Sequence, residues 1–183
     1  MWLAQVGSDR IEEIENPELA QNRAKGYYEK KGYPRDWIEK RLRGIAIRQD
    51  LTDEWKSRSV EEGKEYAILT NEISKAIFGV SVREHKKIKN LDLKNANENL
   101  RDHMDDLELI FSMLGEKVAT EVTRKNNSQG FDECLDSAKE GGEVAGNARK
   151  DTEKRIGRSV VSGKNFDNIR NVENKKILRK NSG

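Results

Sequence analysis

The run Asp102-His103-Met104-Asp105-Asp106 gathers metal-ligating residue types in one place. His103 and Asp106 are three apart, a spacing that sets two side chains on one helical face. A metal centre needs three or four converging ligands with supporting partners around them. The only other histidine is His85, and no second acidic-histidine motif faces the first. The run therefore reads as an acidic helix, solvated or engaged in packing, and no metal or other cofactor is expected. Glu140-Gly141-Gly142-Glu143-Val144-Ala145-Gly146-Asn147-Ala148-Arg149 is the glycine-rich stretch. A phosphate-cradling loop needs its glycines directly after a strand and before a helix. Here an amphipathic helical pattern precedes them, and no Walker-type lysine-serine or lysine-threonine pair follows. Ala138, Gly142, Ala145, Gly146 and Ala148 instead form a small-residue face that lets two helix backbones approach closely. Together with Arg149, that face is the candidate docking surface for a protein partner. Neither histidine has a serine or cysteine partner in any local signature, so the chain is read as non-enzymatic.

Basic side chains offer a different chemistry. From Arg23 to Arg48, nine basic residues outnumber three acidic ones, for a net +6. They are Arg23, Lys25, Lys30, Lys31, Arg35, Lys40, Arg41, Arg43 and Arg48, with Tyr27, Tyr28, Tyr33 and Trp37 interleaved. Such a block suits a phosphate-binding face. A second block, Arg83, Lys86, Lys87, Lys89 and Lys94, surrounds His85 behind a capped turn and carries no base-stacking aromatic. Of these, Arg83, Lys86 and Lys87 join the candidate nucleic-acid contacts. The plainer alternative for both blocks is a solvated face. Tyr33 and Trp37 would then be core residues, their basic neighbours pointing to solvent or pairing with the acidic segment Glu98–Glu121, net −5.

The elements that must position these groups read as helices. Of 183 residues, 34% are hydrophobic and 37% charged, which suits an extended helical assembly better than a sphere with a deep core. Pro17 and Pro34 are the only prolines, and strand-favouring runs are scarce. Met1 to Glu15 reads as a first helix. Asn16-Pro17-Glu18 starts a second, which ends near Gly32. Pro34 opens a third, and Thr52 is expected to cap a short helix carrying Trp55. Glu65 to Phe78 is helical with a stop at Gly79, and Ser81-Val82-Arg83-Glu84 is a capping box. Leu91 to Asn97 reads as a loop. Leu100, Met104, Leu107, Ile110, Phe111, Leu114, Val118 and Val122 form a stripe, so a helix is expected over 98–122 with that stripe as core. Gly115 marks a kink or a close crossing. Phe131 to Ile156 is one helix or two, interrupted at Gly141-Gly142. The expected fold is all-α: an irregular bundle of roughly six to eight helices with a polar, basic C-terminal tail. Its expected segments are 1–15, a helical core over 16–125, a C-terminal helical segment over 126–161 and the tail over 162–183. Cys134 is the sole cysteine, which excludes an internal disulfide and a cysteine-rich zinc site. No apolar run approaches the roughly 20 residues that span a bilayer, so no membrane association and a cytoplasmic location are expected.

Several short segments occur in a shared order: Trp2-Leu3-Ala4-Gln5-Val6-Gly7, Ile14-Glu15-Asn16-Pro17-Glu18-Leu19-Ala20, Asp36-Trp37-Ile38-Glu39-Lys40-Arg41, and the run from Gly44 to Lys56. Glu65 to Ile73, Asn99 to Phe111, and Ala145-Gly146-Asn147-Ala148-Arg149-Lys150-Asp151 complete the series. In these the chain resembles Bro-N-containing prophage antirepressor proteins of the DNA-damage-inducible protein D type. In that family a DNA-binding Bro-N domain precedes the matching segments. Here residues 1–15 look like its closing helix, and the rest of that domain is absent. The resemblance implies an antirepressor-like regulator that acts by protein–protein contact, with a repressor as partner, self-association into homo-oligomers, and DNA contact as a further property. Its alternative is a DNA-damage-response modulator acting on the strand-exchange recombinase and its filaments on single-stranded DNA.

Overall fold

The computed structural model describes residues 2–93 and 98–165. Lys94, the end of the expected 91–97 loop and all but the first four residues of the expected 162–183 tail lie outside them. Seven α-helices occur among the described residues: α1 (Trp2–Glu15), α2 (Pro17–Lys30), α3 (Arg35–Ser57), α4 (Lys64–Phe78), α5 (Val82–Ile88), α6 (Asp106–Asn126) and α7 (Gly130–Ile156). A 3-10 turn, Leu100–His103, precedes α6, and the described residues contain no strand. The fold is all-α, a multi-helix bundle. Two compact units divide between Leu42 and Arg43, inside α3. Residues 126–161, expected as a separate segment, belong to the same unit as α4 and α6.

The first unit holds α1, α2 and the start of α3. Asn16 Oδ1 accepts from the Glu18 N–H at 3.2 Å, and Pro17 fills the first turn, so local chemistry starts α2 where the sequence places it. Gly32, at φ 87°, turns the chain toward α3. Tyr33 stacks on Trp37 with centroids 4.3 Å apart, and Tyr28 meets both rings edge-on.

The second unit is built on α4, α6 and α7. Thr52 does not cap a separate helix. Its hydroxyl donates back to the Arg48 and Gln49 carbonyls, and α3 runs unbroken through it. Gly79, at φ 75°, ends α4. Ser81 and Glu84 form the capping box that opens α5. The helix expected over 98–122 begins later, because Asp105 and Glu108 form a second capping box at its start. The Gly141-Gly142 pair does not interrupt α7, which is continuous.

The core of α6 is turned away from the stripe of large apolar residues. Its buried residues are Glu108, Leu109, Phe111, Ser112, Gly115, Glu116, Ala119, Thr120 and Thr123. Ile110 and Leu114 are 41% and 36% exposed, while Leu107, Val118 and Val122 are half-buried. Only Leu100, Met104 and Phe111 of the stripe are buried. Close backbone approach decides this. A Cβ on Gly141 would run into the Ala119 backbone. A Cβ on Gly115 would lie 2.5 Å from Ile77 Cδ1 and 3.3 Å from Ala145 Cβ. The Thr120 and Thr123 hydroxyls donate to the carbonyls of Glu116 and Ala119, so their burial leaves no unpaired donor. A face of small and internally satisfied side chains thus packs tighter than a leucine stripe could.

Candidate functional site

The expected small-residue face lies inside the chain. Ala138, Gly142, Ala145 and Gly146 are buried between α7 and its neighbours α4 and α6. A Cβ on Gly142 would sit 2.6 Å from Ala76 Cβ, and one on Gly146 would strike the Ala76 carbonyl. Arg149 is 9% exposed, and its Nε donates to the Ile77 carbonyl at 2.6 Å, satisfying an orphan acceptor at the end of α4. Close packing of this face takes place within one chain, so these five residues are not a surface offered to a partner. Gly115 is the matching close crossing on α6.

The basic residues separate into three environments. In the first unit Arg23 holds Glu13 at 2.5 Å, Lys25 and Arg35 approach Glu39 at 3.8 and 3.6 Å, and Lys40 reaches Asp36 at 3.3 Å. The Arg23 hydrogen bond holds the Glu13 carboxyl below its ordinary value. Arg41 is buried. Lys30, Lys31 and Arg43 are exposed, as are Arg83 and Lys87 in α5. Lys86 is half-buried. The twelve candidates thus have different surroundings: some are exposed, some pair with carboxylates, and Arg41 is buried.

Two buried carboxylates on α6 organise the rest. Glu116, 2% exposed, takes Arg48 Nη1 at 3.3 Å and Arg101 Nη2 on the same oxygen, Oε1. Arg48 also donates to the Thr70 hydroxyl, and its guanidinium lies 5.2 Å from the Trp55 ring centre. Burial, with Arg101 close by, brings the Arg48 guanidinium down to about 10, although Glu116 acts the other way. The second carboxylate, Glu108, is fully buried. Its Oε1 lies 2.9 Å from His85 Nε2, and its Oε2 accepts from Lys89 Nζ at 2.5 Å and from the Asp105 N–H at 2.7 Å. Lys89 Nζ also donates to the Lys164 carbonyl at 2.7 Å, and Asn165 Nδ2 donates to the Lys89 carbonyl at 3.0 Å. Lys89 is thus no part of a basic surface over 83–94. It is fully buried and ties α5, α6 and the strap around Lys164 together.

No family model and no curated protein matches the chain.

His103, the candidate ligand, places Nδ1 2.6 Å from Asn165 Oδ1. Asp105 serves as the cap of α6. Among the described residues, no three or more His, Cys, Asp or Glu side chains are grouped to hold a metal ion. Cys134 is buried, and that burial pushes its thiol up to about 11, so it stays protonated at neutral pH. Among the described residues, no helix is long and apolar enough to cross a membrane.

Sequence reasoning missed both carboxylate clusters. Two local signals for the Glu108 cluster were present. His85 and Lys89 stand four apart behind a cap, hence on one helical face, and Asp105-x-x-Glu108 has the capping-box pattern. Nothing local links Arg48 and Arg101 to Glu116, which are brought together from three separate elements.

Proposed function

We propose that the chain is a non-enzymatic regulatory protein of the prophage antirepressor type, acting by contact with a repressor protein. The observation that carries this reading is the partly exposed apolar row on α6. Leu107, Ile110, Leu114 and Val118 follow one another at helical spacing, and the middle pair is exposed. An amphipathic helix that keeps apolar side chains in water suits insertion into a partner's groove. The row also begins within Asn99–Phe111, one of the segments in which the chain resembles Bro-N antirepressor-like proteins.

The basic residues weigh against the alternative of a modulator acting on recombinase filaments on single-stranded DNA. Arg23, Lys25, Arg35, Lys40 and Arg48 already face carboxylates of this chain, which lowers the positive field available to phosphates. A reporter under a prophage repressor, in cells expressing this chain, tests the reading. The wild type is expected to relieve repression. Ile110→Glu/Leu114→Glu is expected to lose that effect while keeping its helical signal and melting temperature. Repression untouched by the wild type, or relieved equally by the double variant, would sink it. Tight, salt-sensitive binding to single-stranded DNA in place of relief would favour the alternative.

A further inference from the structure

A cavity of about 270 Å3 lies among α4, the start of α5, the Leu100–His103 turn and α6. Its apolar wall includes Ile73, Phe78, Leu100 and Met104. The opposing contributions are polar: Lys86, Arg101, Ser112 and Glu116 all line it. This mixture, apolar walls with a few polar groups, is how small-molecule sites are built, and the volume is close to the lower end of their usual range of about 300–1,000 Å3.

The charges around it do not cancel. Glu116 is one carboxylate shared by two guanidinium groups, Arg48 and Arg101. Lys86 adds a further positive charge and makes no ion pair among the described residues. Glu98, the other acid on the lining, keeps its charge while it accepts from the Asp92 N–H at 2.8 Å, so with Arg48 three cations stand against two carboxylates. Two donors also lack a good acceptor. Arg101 Nε is buried with no hydrogen-bond partner. The Ser112 hydroxyl has only the Met104 sulfur, at 3.6 Å. A buried donor left unpaired costs free energy. Carboxylate is the acceptor that best suits a guanidinium N–H beside an ammonium group.

We infer that this cavity is a binding site for a small organic carboxylate with an apolar body, its carboxylate held by Arg101 and Lys86 and its body against Phe78, Ile73 and Met104. The inference does not depend on the repressor reading. Ser112 and Glu116 occupy the buried side of α6, and Ile110 and Leu114 the exposed side, so either proposal can fail while the other stands.

Phenylacetate is a suitable probe, with its neutral isostere phenylacetamide and with inorganic phosphate as comparators. Titration followed by amide chemical shifts on the full chain is expected to give saturable changes at Ser74, Arg101 and Ser112. Phenylacetamide is expected to bind at least about tenfold more weakly, the factor that corresponds to loss of about 1.4 kcal/mol. Lys86→Gln is expected to weaken phenylacetate several-fold with the melting temperature unchanged. Arg101→Met would remove a Glu116 partner and endanger folding, so the half-buried Lys86 is the safer variant. No saturable change with phenylacetate would overturn the assignment. So would equal binding of phenylacetamide, or of phosphate alone, or indifference to Lys86→Gln.

Discussion

The Lys89 ammonium and the Glu108 carboxylate lie 2.5 Å apart, and both side chains are wholly removed from solvent. Neither charge can be left alone there. Removing one partner of a buried pair typically costs about 3–5 kcal/mol, because the survivor keeps its desolvation penalty. Glu108→Gln or Lys89→Met is therefore expected to lower the urea unfolding midpoint strongly. The double replacement Lys89→Met/Glu108→Leu is expected to be less destabilised than the two single effects combined, which a double-mutant cycle reads directly. A single variant with an unchanged midpoint would mean that water reaches the pair.

Glycines in this fold have opposite meanings at different places. Gly146 has no room for a Cβ, since the Ala76 carbonyl occupies that position. Gly146→Ala is expected to destabilise by about 1–3 kcal/mol through overpacking, despite alanine's better helix propensity. Gly26, inside α2, has nothing within 4 Å of a built Cβ. Gly26→Ala is expected to stabilise by up to about 1 kcal/mol. Thermal unfolding by circular dichroism compares the two, and an equal shift of the same sign would contradict the close α4–α7 packing.

Acid should loosen the contact between α3 and α6. Arg124 donates to Asp50 and to Glu54, each at 2.7 Å. The Arg124 hydrogen bond, then that of Lys117, holds Asp50 below its ordinary 3.8. Burial pushes Glu54 up, but Arg124 and Arg58 together carry it below 4.5. Both folded values are below the unfolded ones, so their stabilisation is complete above about pH 4.5 and disappears as pH falls through the folded values. Asp50 is more than a third exposed, so each pair is worth about 0.2–1 kcal/mol after solvent screening. Arg124→Gln is expected to shrink the drop in urea midpoint between neutral pH and about pH 3. An identical drop in wild type and variant would count against this clamp.

The sequence by itself determined where most helices start and stop. Asn16, Ser81 and Asp105 carry side-chain oxygens that satisfy the free N–H groups of the turn they open, and Gly79 supplies the left-handed residue that closes α4. Those are interactions among residues a few positions apart, so they can be read without knowing what lies across the bundle. Thr52 misleads, because its hydroxyl satisfies itself inside α3, and the Asp105 cap went unread behind the apolar stripe that set the expected start at 98. Tertiary structure alone decided which face of each helix is buried and which charges meet. The leucine-rich stripe of α6 lost its place to a face of Gly115, Ala119 and back-bonded threonines, since α7 approaches too closely for larger side chains. Likewise the cations of 83–94 parted ways: Lys89 turned inward to a carboxylate 19 positions on, while Arg83 and Lys87 remained in water. A spacing rule counts neighbours along one helix, and burial depends on partners that only the folded chain assembles.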